Sequence, residues 1–347
     1  MEYLYQYGLF VAQAITVVIV FAAIIGLIVG AAAKGKSSNK GELYVDNISE
    51  EIEDTIVDLK RSLLNKDDLK AFDKNLKKEL KKEVKKDSKN KDKEDEKRPN
   101  MFVVSFDGGV YANEVESLRE EISAIISIAQ PGDKVLIKLE SPGGVVHGYG
   151  LASSQIARLR NADIEVIAAV DKVAASGGYM MACVANKIIS APFAIIGSIG
   201  VVAQLPNFNK LLKKHDVEIE QHTAGNYKRT LTMLGENTDE AREKFKEELA
   251  DTHILFKEFV SEYRPELDIE KVATGEHWYG KQALELKLVD ELLTSDDFVL
   301  NSVKDHTLYK VEYKIKQKLA EKLGIAAAAG ASSMFSKMSA WSFTSNK

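Results

Sequence analysis

The sequence predicts an α/β domain on a largely parallel sheet, preceded by one transmembrane helix and a charged helical connector. Three observations carry this. Residues 9–33, LFVAQAITVVIVFAAIIGLIVGAAA, hold no charged side chain. The run from Lys70 to Pro99 is dense in lysine and acidic residues. From Met101 onward, short β-branched runs alternate with stretches of helical period. That order implies strands paired in parallel through helical crossovers.

The first run is long enough for a bilayer core, which takes about 20 apolar residues in a helix. Gln13 and Thr16 are its clearly polar members. A cleaved signal peptide has a basic start and about 7–15 apolar residues. MEYLYQYG has no Lys or Arg, so the expectation is a tail at 1–8 and an uncleaved anchor at 9–33, in contact with the lipid bilayer. Tyr3, Tyr5 and Tyr7 suit the membrane interface. Lys34, Lys36 and Lys40 follow the span, and the positive-inside rule then favours a cytoplasmic carboxyl side.

Residues 34–98 read as a charged connector. Leu76, Leu80 and Val84 stand four apart, the mark of a solvated helix with one thin apolar stripe. Interleaved acids weaken the alternative, a basic surface for anionic lipid.

The globular domain is expected over 99–300. MFVVSF reads as a buried strand, and 113–129 as an amphipathic helix with Val115, Leu118, Ile122, Ile125 and Ile126 on one face. Strands are expected at 134–139 and 164–170, with the helix HGYGLASSQIARLRN between them. The apolar stretch 188–205 contains Pro192 and GSIG, so it reads as core strands rather than a second span. VEIEQHT (217–223) alternates like a strand. Thr238 suits the N-cap of a long helix whose Ala241, Phe245, Leu249, Phe256 and Val260 share a face. Residues 268–293 close the domain with a short helix–strand unit, and 301–347 read as a C-terminal tail.

Bulk properties exclude little and point nowhere unusual. The 347 residues are 45% apolar and 29% charged with net charge −5, which gives no reason to expect nucleic acid. The single cysteine, Cys183, has no internal disulfide partner and lies in an apolar run. No Cys, His and acid cluster has metal-ligand spacing, so neither a metal nor a cofactor is expected.

The chemistry concentrates after strands. LESPGGVVHGYG (139–150) puts Pro142, Gly143 and Gly144 in a turn whose backbone N–H groups could hold a developing negative charge. An ordinary Pro-Gly turn is the competing reading. In VAASGGYMMACVA (173–185), Ser176 stands among small residues where a helix begins. It suits a nucleophile or a plain N-cap. In open α/β sheets, ligands gather at the carboxyl ends of strands, so Gly144 and Ser176 share a crevice by chain order. A serine nucleophile needs a base. His147 with an acid such as Asp171 would give a triad; Lys228, in TAGNYKRT, would give a lone lysine base if kept neutral. Residue types alone favour His147.

LESPGG, VDKVAASGGYMMACVANKIISAPFAIIGSIGV and HTAGNYKRTLTMLGENTDEAREKF together resemble peptidase family S49, the signal peptide peptidase A group. With the anchor and connector, the similarity is greatest to its inner-membrane branch. It covers most of the chain and is weakest in the connector and after residue 300. The resemblance implies a ClpP/crotonase-like spiral of ββα units and a serine endopeptidase with a Ser–Lys dyad. Ser176 would be the nucleophile and Lys228 the general base, overturning the preference for His147. Gly144 and Gly177 would form the oxyanion hole, and Gly143 and Gly178 would border the substrate. Members are membrane-anchored and often ring-forming, so a homo-oligomer is implied. Their substrates are cleaved signal peptides and other unstructured or membrane-derived polypeptides, which favours a periplasmic catalytic domain against the vote of the lysines. An exposed strand within 194–203 would pair with an extended substrate. The alternatives are a non-cleaving membrane scaffold and a crotonase-like acyl-CoA enzyme, neither of which needs Ser176 or Lys228.

Overall fold

The computed structural model describes residues 41–89, 98–225 and 227–315, with residues 3, 5–11, 13, 15 and 16. Among the described residues no helix is long and apolar enough to cross a membrane. The expected anchor lies outside the described residues from residue 17 onward. The chain divides into two units, one of Met1–Glu42 with Lys314–Lys347 and one of Leu43–Tyr313. The second unit holds the elements that position the site.

In chain order these are strand β1 (Glu42–Asn47), helices α1 (Ile48–Leu63) and α2 (Lys66–Lys89), β2 (Asn100–Asp107), α3 (Val115–Ile128), β3 (Lys134–Glu140), α4 (Val146–Asn161), β4 (Glu165–Val170), β5 (Val173–Ala175), α5 (Gly177–Ala182), β6 (Lys187–Ser190), β7 (Ile195–Gly197), α6 (Asn209–Lys214), α7 (Asp239–Tyr263), α8 (Ile269–Val272), β8 (His277–Tyr279), α9 (Gly280–Glu285), β9 (Glu291–Leu292), α10 (Ser295–Ser302) and β10 (Thr307–Lys314).

A seven-stranded sheet runs in the order β1-β10-β2-β3-β4-β6-β9. The pairs from β10 to β9 are parallel. Both faces of the central strands β2, β3 and β4 are covered, which is why these are nearly continuous apolar runs. Side chains alternate between the faces. Phe102, Val104 and Phe106 enter the larger core with Leu118, Ile122 and Ile156 of α3 and α4. Met101, Val103, Leu136 and Ile167 enter the smaller one, against Phe298 and Val299 of α10.

A second sheet, β5-β7-β8, forms beyond the carboxyl ends of the first. Twice the chain leaves a long strand and within a few residues adds a short one, β4 to β5 and β6 to β7. Ser141, just after β3, makes the same move as a single bridge to Ala174. The expected α/β class and largely parallel pairing are therefore present.

Helix α7 starts where its chemistry dictates. The Thr238 side chain accepts the Ala241 N–H at 3.2 Å, and Asp239 and Glu240 sit in the positive first turn. Phe256 and Val260 bury its inner face.

Three expectations need correction. VEIEQHT forms no strand: residues 217–223 are exposed and unladdered, so their alternation faces water on both sides. The apolar stretch 188–205 is core only to Ile199; Val202 is 91% exposed. The compact unit also reaches beyond 99–300. It takes in β1 from the connector and β10 from the tail, where Leu308 and Val311 are buried despite a strand rich in Lys and Glu.

Candidate active site

Ser176 stands between β5 and α5 with φ +51° and ψ −118°. A non-glycine residue in such a region costs about 1–3 kcal/mol and persists only when its surroundings hold it there. Here they do. The Ser176 N–H donates to the Gly197 carbonyl at 2.7 Å, and its carbonyl accepts the Met180 N–H at 2.9 Å. The side chain makes no capping hydrogen bond. The N-cap reading therefore fails, and the hydroxyl is left for another use.

Ser176 lines a cleft of about 640 Å³ at the carboxyl ends of the strands. The turn after β3 forms the facing wall, so the shared crevice expected from chain order is real. Gly143, at φ +87°, lies so close that a Cβ there would be 2.8 Å from both the Ser176 Cβ and the Gly177 nitrogen. A Cβ on Gly144 would overlap the Val110 carbonyl, and one on Gly177 would overlap the Tyr149 ring. Gly178 backs onto the Ser141 carbonyl rather than the cleft. Among the described residues, the N–H groups of Gly144 and Gly177 donate to no backbone acceptor. Gly177 opens α5, where such donors have no partner within the helix.

A buried hydroxyl pair braces this turn. The Gly143 N–H donates to Ser141 Oγ at 3.0 Å. Ser141 Oγ in turn contacts the Tyr149 hydroxyl and lies 3.2 Å from the Gly108 carbonyl. The Tyr149 hydroxyl donates to the Gly109 carbonyl at 2.8 Å. Burial holds the Tyr149 phenol above its ordinary pKa, so it remains a neutral donor. Sequence reasoning missed this pair; the signal was two hydroxyls eight residues apart around a Pro-Gly-Gly turn.

The candidate bases fare differently. His147 is exposed and lines none of the cleft. Asp171 gives its carboxylate to Ser295, accepting the backbone N–H at 2.8 Å and the hydroxyl at 2.5 Å. The triad that residue types favoured is not assembled. Lys228 is also exposed and outside the cleft lining. It sits in a long connection between β7 and α7, stapled by amides: Asn207 donates to the Thr232 and Gly235 carbonyls, and Asn209 to Leu234. The structure thus brings Ser176, Gly143, Gly144 and Gly177 together and leaves Lys228 apart.

The far wall comes from α7, through Thr252, His253 and Phe256. Phe256 belongs to the expected helix face; His253 lies one turn before it on the same face, so the periodicity already pointed to it. Cys183 is buried, and burial pushes its thiol pKa up, which leaves it inert. Among the described residues no group of three or more His, Cys, Asp or Glu side chains is arranged to hold a metal ion.

Comparison with known proteins agrees across the chain. The pattern described as "Peptidase family S49 N-terminal" matches residues 2–156, and "Peptidase family S49" matches residues 158–308. "Probable protease SohB" of Haemophilus influenzae is 50% identical over 92% of this chain and 91% of its own length. The protein of the same description from Buchnera aphidicola subsp. Schlechtendalia chinensis is 51% identical over 87% of this chain and all of its own. Among solved structures, the membrane-bound stomatin-specific protease 1510-N with a substrate peptide aligns at TM-score 0.41 and 12% identity, covering 65% of this chain and 96% of that one.

Proposed function

Since this chain belongs to peptidase family S49 and is a peptidase, we propose that it is a membrane-anchored serine endopeptidase with Ser176 as nucleophile and Lys228 as general base. One observation carries the reading: a serine held at positive φ whose hydroxyl caps nothing and whose residue borders an open cleft. Neutral Lys228 takes the Ser176 proton as the hydroxyl oxygen attacks a peptide carbonyl. The oxyanion is held by the N–H groups of Gly144 and Gly177, whose lack of backbone partners supports that role. Protonated Lys228 then gives its proton to the leaving amine. Water attacks the acyl-serine and regenerates the hydroxyl.

Lys228 must reach Ser176 for this to work. Its connection exposes Val202, Phe208, Leu211 and Tyr227, a surface that a second copy of the chain would cover. Assembly as a homo-oligomer is therefore part of the proposal, with Lys228 brought to a Ser176 in the same chain or the neighbouring one. The ββα succession supports a ClpP/crotonase-like spiral. Residues 9–33 anchor the chain in a bacterial inner membrane, and the catalytic domain is assigned to the periplasmic side. The protease domain is placed over 99–300 with the adjoining strands β1 and β10. Substrates are signal-peptide remnants and other unstructured or membrane-derived polypeptides. Such a chain would lie in extended form past Val201 and Val202, which line the cleft.

The test is hydrolysis of unfolded casein and a signal-peptide mimic by the full chain. Wild type cleaves both, Ser176→Ala and Lys228→Ala abolish cleavage, and His147→Ala preserves it. Cleavage that survives Ser176→Ala overturns the reading. Cleavage that survives Lys228→Ala but not His147→Ala replaces the dyad with a histidine base.

A further inference from the structure

The connection that carries Lys228 is fastened to α7. Asn237, the residue before the Thr238 cap, uses its amide twice on one residue. Its Oδ1 accepts the Thr232 N–H at 2.9 Å, and its Nδ2 donates to the Thr232 carbonyl at 3.1 Å. Asn207 Nδ2 gives the same carbonyl a second bond at 2.9 Å. The backbone N–H and both carbonyl lone pairs of Thr232 are thus satisfied by side chains, with no strand beside it. Two further ties reach the helix itself. Thr230 Oγ1 donates to Glu248 Oε2 at 3.5 Å, and Lys244 Nζ lies 5.2 Å from the Tyr227 ring centroid. Glu248 stands one turn, about 6 Å along the axis, before Thr252 of the cleft wall.

We propose that Asn237 is a positioning residue for Lys228, whose amide holds the segment bearing the base against α7. This rests on Lys228 being the general base. Chain entropy makes the tie count. Between Gly197 and Asp239 some forty residues hold only the short helix α6, and a connection that long restricts a side chain in its middle very little. Fastening Thr232 leaves four residues between a fixed point and Lys228, at most about 14 Å of extended chain. A base confined to that radius meets its nucleophile far more often than one on a free loop. Asparagine suits the task because its amide presents a donor and an acceptor side by side, the match for a residue's own C=O and N–H. Asn237 lies outside the cleft lining, so it acts through Lys228 and not on the peptide.

The test has a kinetic arm and a distance arm, both on the full chain. In casein hydrolysis, Asn237→Ala is expected to lower kcat roughly tenfold and to leave KM within about twofold. Asn237→Asp keeps the acceptor for the Thr232 N–H and loses the donor, so its kcat falls between the two. For the second arm, spin labels are placed in Lys228→Cys/Asp251→Cys, where the native Cys183 is buried and does not compete. The 228–251 distance distribution is narrow with Asn237 intact and broad after Asn237→Ala. An unchanged distribution, a wild-type kcat, or a loss that falls on KM instead overturns the proposal. The reading of Lys228 as base fails separately: Lys228→Ala would still cleave while the labels still report a segment released by Asn237→Ala.

Discussion

Gly143 and Ser176 approach so closely in the cleft wall that a Cβ at 143 would lie 2.8 Å from the Cβ of 176 and 2.7 Å from the Ala175 carbonyl oxygen. The turn after β3 and the serine after β5 therefore fit only while position 143 has no side chain. Gly143→Ala meets this clash and also a φ of +87° that alanine rarely adopts. Moving the turn shifts the neighbouring Gly144 N–H. Casein hydrolysis is expected to fall roughly 100-fold, the effect of losing one oxyanion donor, with about 1–3 kcal/mol of stability. Gly150→Ala is the control. Nothing lies within 4 Å of its added Cβ in α4, and the helix gains about 0.5–1 kcal/mol. Equal activity in the two variants would remove the 143–176 contact from the mechanism.

The Tyr149 hydroxyl braces that turn from behind through Ser141. Tyr149→Phe keeps the ring, which packs edge-on against Phe106 at 6.4 Å, and removes only the oxygen. The Gly109 carbonyl then loses its donor and Ser141 loses a partner. The expected cost is about 1–3 kcal/mol in denaturant unfolding. On the proposed mechanism the turn would hold the oxyanion rather than a substrate side chain, so cleavage should weaken through kcat more than KM. A variant as stable as wild type would show the brace to be incidental.

How much of this was legible follows from what each element depends on. β2, β3 and β4 are buried on both faces, so their apolar runs carry the signal locally. Helix α7 announced itself through the Thr238 cap and the spacing that ends in Phe256 and Val260. β10 did not, because three of the eight residues of TLYKVEYK are charged and it becomes a strand through partners on both sides, β1 and β2. The stretch 217–223 failed in the opposite sense: Val217 and Ile219 alternate properly, but among the described residues no strand pairs with them to complete a ladder. At the site, Ser176 was legible because small residues and a helix start sit together in sequence. The separation of Lys228 from the cleft was not, since a connection of some forty residues that holds only the short helix α6 sets no distance between its ends. His147 looked suitable by residue type and failed on direction, which only packing decides.

Glu121 predicts a pH effect on folding. It lies buried on α3, and burial raises its pKa from the ordinary 4.5 to about 7, with the nearby Glu312 adding to the rise and the Tyr313 N–H, donated at 2.7 Å, opposing it. The folded state therefore holds the proton more tightly than the unfolded chain. Its stabilising contribution is full below about pH 4.5 and is lost as pH climbs through about 7. Glu121→Gln keeps an acceptor for Tyr313 and never ionises. It should match wild type near pH 4.5 and exceed it at pH 8 by on the order of 2–3 kcal/mol. Thermal melts of both proteins across that range check the sign; parallel curves would place the Glu121 titration outside the window.

A tether at its carboxyl end holds α7 over the cleft. Arg264 ends the helix and grips Asp290 with two bonds, 2.9 and 2.6 Å, while a further one reaches the Lys287 carbonyl at 3.0 Å. Asp290 also accepts the Ile188 N–H at 2.6 Å, so one carboxylate joins the helix end to strand β6. The Arg264 side chain is 13% exposed, which places the pair between surface bridges, worth about 0–1 kcal/mol, and buried ones, whose breaking costs about 3–5. Arg264→Ala should cost about 2–3 kcal/mol on that scale. Asp290→Ala should cost more, since it strands both the guanidinium and the Ile188 N–H. Arg264→Lys should recover little, because an ammonium cannot match the two-pronged grip. Lys172→Ala, which breaks an exposed bridge to Glu140, should change stability by less than about 0.5 kcal/mol. Loosening the end of α7 also frees the wall that carries His253 and Phe256, so KM for peptides should rise several-fold in Arg264→Ala while kcat changes less. A fall in kcat at constant KM would instead tie α7 to the position of Ser176 itself.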